Sequence, residues 1–302
     1  MAEPGKGPRP VISVVASQKE QGKEKETGRV SSGIADLDEL IEGGFPVGKS
    51  YLIAGEAGSG KSIFCMRFIL NSLMDGEKVV YVPLDEKPTE AAENAVSLGW
   101  DLRRYVSGGQ LLMLDAAPSL NASSGAGGRE VDVGKVVADL ASYVSRSGAT
   151  RLVIDPVEPL IAPRDLTKGY KQQARLLIRS LQDQMAGTTI LLTLNTSARG
   201  GEGSRWDDYP VDGVILLGFR REQNSLVRTL LVGKMRGTAI DLVERRFSIV
   251  KDQGIAISEA AVEPADRVPS QAPAPLPADT SQPSETAEAG QSEQIFFKEW
   301  QG

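Results

Sequence analysis

The segment Gly55-Glu56-Ala57-Gly58-Ser59-Gly60-Lys61-Ser62 constrains this chain more than any other feature. It has the form G-x-x-x-x-G-K-[ST]. An apolar run, residues 50–54, precedes it, and residues 61–74 follow with helical character. A strand that passes into a helix through this many glycines leaves backbone N–H groups free to converge on phosphate oxygens. The positive end of the helix points at the same place. On this reading Gly55, Glu56, Ala57, Gly58, Ser59 and Gly60 form a phosphate cradle. Lys61 reaches the terminal phosphates, and the Ser62 hydroxyl binds Mg²⁺. The implied ligand is a nucleoside triphosphate with its magnesium ion.

From Arg29 to about Ser258, apolar runs alternate with amphipathic segments. Strands are predicted over 50–54, 77–82, 111–114, 151–154 and 189–194, with helices over 61–74, 89–98, 131–146 and 172–185. Three further strands, over 214–218, 225–233 and 246–250, follow without long helices between them. The predicted fold class is α/β: a mainly parallel sheet flanked by helices and ending in a C-terminal β meander.

Two acidic positions fit the phosphate site. The run Arg151-Leu152-Val153-Ile154-Asp155 is an apolar strand ending in an acid, where a second magnesium-holding group belongs. An aspartate before Pro156 is also an ordinary turn or cap residue. The strand that begins near Glu77 leads into Asp85-Glu86 just before a helix. Carboxylates at the C-terminal edge of an open sheet sit where ligands bind. Mutual repulsion would raise one pKa and help it take a proton from water. A solvated helix-entrance pair is the plainer alternative.

Composition narrows the chemistry. The chain has 302 residues, no histidine and one cysteine. Histidine triads, histidine-held zinc and intrachain disulfides are therefore excluded, and carboxylates remain as bases. No apolar leader or membrane span is visible, so the expected location is cytoplasmic, without membrane attachment. Residues 259–302 hold eight acids against two bases, which accounts for the whole net charge of −6 and leaves residues 1–258 neutral. A neutral body argues against a broad nucleic-acid surface, though not against a local basic loop. Three regions are expected: a disordered N-terminal arm over 1–27, one catalytic domain over 28–258, and a disordered acidic, proline-rich tail over 259–302 ending in an aromatic motif.

Taken together, these residues resemble the KaiC branch of the RecA-type ATPases across roughly 29–258. The stretch Arg29 to Leu40 followed by Gly43-Gly44-Phe45, the phosphate loop, Asp85-Glu86 in the place of paired catalytic glutamates, and Ser97 to Leu102 all match. So do Asp155, Asn195-Thr196-Ser197 and Lys234-Met235-Arg236-Gly237-Thr238. The resemblance implies a RecA-like domain that binds ATP and Mg²⁺ and hydrolyses ATP. It implies roles for Glu86 as general base with Asp85 supporting it, for Ser62 and Asp155 at the metal, and for Asn195 as γ-phosphate sensor. Lys234 and Arg236 would act across a subunit interface, which implies a ring, expected to be a hexamer serving as a regulatory or signalling switch. Clock-type members carry a Ser-Thr pair before the meander and are tandem duplicates. Residues 207–212 (Asp-Asp-Tyr-Pro-Val-Asp) carry no such pair, and this chain has one copy. Autophosphorylation is therefore not expected.

Alternative functions remain open at this level. Arg199, Arg205 and Trp206 lie in a Gly/Ser-rich loop and could grip single-stranded DNA by charge and stacking. A kinase and a non-hydrolysing scaffold are the other classes. The motif Ile295-Phe296-Phe297-Lys298-Glu299-Trp300 reads as a docking peptide, for a protein partner or for the chain's own body. The spacing of Ile295, Phe296 and Trp300 predicts one helical turn.

Overall fold

The computed structural model describes residues 28–116, 131–161, 170–196, 209–222, 225–261 and 298–301. The first elements are strand β1 (Arg29–Val30), helix α1 (Ala35–Leu40) and strand β2 (Phe45–Pro46), with β1 and β2 pairing antiparallel. Then follow β3 (Ser50–Gly55), α2 (Lys61–Met74), β4 (Val79–Pro83), α3 (Pro88–Ser97), α4 (Arg103–Ser107) and β5 (Leu111–Asp115). Next come α5 (Val133–Ser147), β6 (Arg151–Asp155), α6 (Glu158–Ile161), α7 (Tyr170–Gln184) and β7 (Thr189–Asn195). The last elements are β8 (Gly213–Glu222), β9 (Ser225–Met235), β10 (Arg245–Val250), β11 (Gly254–Ala261) and β12 (Lys298–Trp300).

One ten-stranded sheet has the order β11-β10-β9-β8-β3-β7-β6-β4-β5-β12. Neighbours from β8 through β5 pair in parallel, while β8 to β11 form an antiparallel meander. The expected fold class is what the structure shows. Both faces of the parallel region are covered, so its strands carry apolar residues on both faces rather than at alternate positions. Tyr51, Ile53, Tyr81 and Val153 point into one core with α2, while Leu52, Ala54, Val82 and Ile154 point into the other with α5 and α7. The two faces of each strand thus anchor two separate helical layers.

Two strands differ from expectation. β11 escapes prediction because Gly254-Ile-Ala-Ile-Ser-Glu-Ala-Ala alternates only weakly, so the sheet continues to Ala261, past the expected boundary at 258. Lys298–Trp300 lies in the expected tail but pairs antiparallel with β5. It is a strand here; the helical turn expected on binding includes Ile295 and Phe296, which lie outside the described residues. Among the described residues no helix is long and apolar enough to cross a membrane. The N-terminal arm, the Gly/Ser-rich loop with Arg199, Arg205 and Trp206, and Ile295–Phe297 lie outside the described residues.

Candidate nucleotide site

The parallel strands β3, β7, β6 and β4 end at one edge of the sheet, and most of the sequence-predicted groups gather there. The phosphate loop starts at Gly55, where sheet packing demands glycine. A Cβ would stand 2.3 Å from the Leu217 carbonyl oxygen. It ends at Gly60, whose φ of 106° lies in the left-handed region. Among the described residues no side chain caps α2, so its first-turn N–H groups stay available to an anion. The helix itself is held down by Phe64, Cys65, Phe68, Ile69 and Leu73, all buried. Cys65 is a core residue, and burial pushes its thiol pKa well up.

Lys61 folds back in this structure. Its Nζ donates to the carbonyl oxygens of Gly55 at 3.0 Å and Glu56 at 2.9 Å. Burial lowers its pKa, against the pull of Asp155 and Glu158 first among the carboxylates. The Ser59 hydroxyl is buried with no partner among the described residues. Ser62 is exposed, and its hydroxyl hydrogen-bonds the Asp155 carboxylate. That carboxylate is buried, with 6% of the residue exposed, and also accepts from the Thr193 hydroxyl of β7. Burial raises the Asp155 pKa, and the bonds from Thr193 and Ser62 oppose the rise. The hydroxyl–carboxylate pair beside an uncapped helix, with an orphaned loop hydroxyl and a folded-back lysine, fits a Mg²⁺-triphosphate.

Asp85 and Glu86 lie just beyond the end of β4 rather than on it, since β4 stops at Pro83. The Leu84 N–H donates to the Asp155 carbonyl at 2.8 Å, which draws this turn over the metal-side strand. Glu86 accepts a 2.6 Å bond from the Asn94 amide of α3. Both acids have raised pKa values, and removal of water by surrounding protein atoms is the largest cause in each. Mutual repulsion, the expected cause, contributes least for Glu86, behind Asn94, Asp155 and Glu90. Water exclusion at the sheet edge does most of the tuning.

Nothing in the sequence singles out Glu158 or Thr193. Glu158 opens α6, three residues after Asp155, and one of its oxygens accepts the backbone N–H of Asn195. Its other oxygen is buried without a partner among the described residues. The Thr196 N–H donates to the Gly55 carbonyl at 3.0 Å, so the end of β7 is tied to the phosphate loop as well as to α6. A lone glutamate after a proline carries no spacing signal, and only β6–β7 pairing brings it to Asn195. Burial raises the Glu158 pKa above the usual carboxylate range. The folded state therefore binds the proton more tightly than the unfolded chain, and stability is lost as pH rises above the ordinary carboxylate value. Glu158→Gln keeps an acceptor for Asn195 and removes the buried charge. In nucleotide-free protein it is expected to raise Tm at about pH 8, at about 2–4 °C per kcal/mol, with the gain shrinking toward about pH 5. Thermal melts across that range check it, and a loss of stability at the alkaline end would show a carboxylate held by a cation instead.

Lys234 and Arg236 stand apart from this cluster. β9 runs antiparallel to β8, so its last residues pair with the first of β8, Met235 opposite Gly213. Gly213 in turn pairs with Tyr51 near the start of β3, at the far edge of the sheet from the phosphate loop. Lys234 Nζ donates to the Val211 carbonyl at 2.7 Å. Arg236 lies 3.7 Å from Asp212, and its side chain is 62% exposed. The structure therefore does not bring these two cations to the phosphate loop of their own chain.

Comparison with known proteins points to one family. The model of a family described as a KaiC ATPase matches residues 30–262. A UPF0273 protein of Pyrococcus furiosus is 32% identical over 237 residues, covering 76% of this chain and 93% of that protein. The circadian clock oscillator protein KaiC of Synechococcus elongatus is 30% identical over 227 residues, covering 74% of this chain and 43% of that protein. The crystal structure of a KaiC-like protein from Pyrococcus horikoshii superposes with a TM-score of 0.64 at 29% identity, covering 77% of this chain and 99% of the other.

Proposed function

Because this chain belongs to the KaiC family of P-loop ATPases, we propose that it hydrolyses Mg²⁺-ATP at subunit interfaces of a ring and uses nucleotide state as a regulatory switch. One observation carries the reading. The phosphate loop, the Ser62–Asp155 pair and Glu86 meet at the C-terminal edge of one parallel sheet, although they lie as much as 100 residues apart in the chain.

Each residue then has a definite task. Backbone N–H groups of residues 55–61 hold the phosphates. Lys61 leaves the Gly55 and Glu56 carbonyls for the β and γ oxygens. Ser62 and Asp155 would hold Mg²⁺, which would supply positive charge against the phosphate oxygens. Glu86, held by Asn94, orients a water and accepts its proton, with Asp85 keeping the local potential negative. Asn195, fixed through its backbone by Glu158, meets the γ-phosphate. Lys234 and Arg236 of one subunit meet the γ-phosphate of the next, a role that their distance from their own loop and the exposure of Arg236 support.

A hexamer is the expected assembly, as the resemblance to the family implies. A protein partner, rather than nucleic acid or membrane, is the expected reader of nucleotide state, and the cytoplasm the expected compartment. Phosphate release by the full chain tests the hydrolysis, with light scattering in ADP and in a non-hydrolysable ATP analogue to test assembly. Turnover should require Mg²⁺, and mass should rise in the analogue. Absence of Mg²⁺-dependent turnover in every assembly state would overturn the reading.

A further inference from the structure

At the second edge of the sheet, β5 is covered by the last strand, β12. Residues Lys298–Trp300 pair antiparallel with β5, with Trp300 opposite Met113, Glu299 opposite Leu114 and Lys298 opposite Asp115. Alternation along the strand sends its side chains to different surroundings. Trp300 packs on the core that holds Met113, Leu111 and Tyr105. Glu299 faces the opposite side, beside Tyr143 and Arg146 of α5, whose guanidinium sits 4.8 Å over the tyrosine ring. Lys298 opposite Asp115 sets unlike charges in register. Trp300 and Glu299 line a cavity of about 610 Å³ together with Val106, Leu112, Tyr143 and Arg146. Leu111 and Leu112 line it too, so the lane along β5 continues past Trp300.

No short turn holds this strand in place. β11 and β12 are the two outermost strands of the ten. At about 4.8 Å per strand they stand about 43 Å apart. The 36 residues from 262 to 297 join them, far more than the few residues of a hairpin connection, which would fix register. Three residues of pairing are marginal alone. Register and identity must therefore come from the side chains that fit the edge. The family match ends at residue 262, so the strand lies outside the matched residues.

We propose that the outer edge of β5 is a strand-docking site for an extended peptide bearing an acid followed by a tryptophan, and that Lys298–Gln301 is its tethered, exchangeable occupant. Edge pairing supplies affinity through main-chain bonds, and the Trp and Glu subsites supply selectivity. The tether makes the internal segment a standing competitor against any external peptide of the same kind.

A fluorescein-labelled peptide of residues 294–302 is the probe, titrated by anisotropy without nucleotide into full-length chains. Trp300→Ala and, independently, Glu299→Arg should open the site and bind the peptide about tenfold or more tighter than the wild-type chain does. Glu299→Arg sets a cation against Arg146 while leaving the aromatic in place, so the two variants vacate the edge by different means. A peptide with the Glu-Trp pair replaced by Ala-Ala should not bind either variant. Absence of saturable binding to both variants, or equal binding of the Ala-Ala peptide, overturns the site. A fall in the mass of nucleotide-free protein on Trp300→Ala would overturn the tethered assignment, because the occupant would then come from a second copy.

Discussion

Glu86→Gln is expected to keep ATP binding and lose turnover by about 10²- to 10⁴-fold, the usual range for removing a general base. The new amide oxygen still accepts from the Asn94 side-chain N–H, which donates to Glu86 at 2.6 Å in this structure, so the turn after β4 keeps its place. What disappears is a group able to take a proton from water. Lys61→Ala should instead lose binding and turnover together, since its ammonium serves the phosphates and the loop carbonyls it now bridges. The pH profile separates these roles. Surrounding protein raises the Glu86 pKa above the usual carboxylate range. A base must be deprotonated to act, so wild-type turnover should fall as pH drops through that raised value, and Glu86→Gln should flatten this acid limb. Equilibrium binding of a fluorescent ATP analogue, together with phosphate release across pH, checks both statements. Wild-type turnover in Glu86→Gln would move the base elsewhere, with Asp85 the nearest carboxylate in sequence.

The second large effect concerns assembly. Arg236→Ala is expected to cost about 10³- to 10⁵-fold in turnover, as loss of a transition-state cation does in related phosphoryl transfers. It should leave nucleotide binding within a few-fold, because Arg236 is exposed and pairs with Asp212 at 3.7 Å, away from the phosphate loop. Lys61→Ala is silent for the opposite reason: its loop is broken and its β9 end is intact. Mixing the two inactive chains should restore turnover. Interfaces that join an Arg236→Ala phosphate loop to a Lys61→Ala hairpin contain one complete site. Recovery should follow the mixing ratio and vanish on dilution below the assembly concentration. An undiminished rate for a monomer on dilution would place the whole site in one chain.

Much of this site is legible in the amino-acid sequence. The phosphate loop declares itself because its chemistry is local: eight consecutive residues carry the backbone freedom, the cation and the hydroxyl. The parallel sheet is legible because burial on both faces leaves continuous apolar runs such as Tyr51–Ala54 and Leu152–Ile154. Asp155 can be named because it ends such a run, and the structure sets it against the Ser62 hydroxyl.

What sequence alone determined, then, is what lies within one element or one turn: the loop, the strands of the buried sheet and the polar residues that close them. Tertiary structure decided what depends on which strands become neighbours. Glu158 meets Asn195, and Thr193 meets Asp155, only because β6 pairs with β7. Burial at that junction outweighs charge repulsion in setting the acids' pKa values, and burial belongs to the assembled layers. The strand Lys298–Trp300 is the extreme case. Three residues, two of them charged, have no strand signal of their own, and what orders them is the edge of β5, about 180 residues earlier in the chain. Their pairing partner is chosen by an unpaired row of backbone N–H and C=O groups, which exists only once the sheet is built.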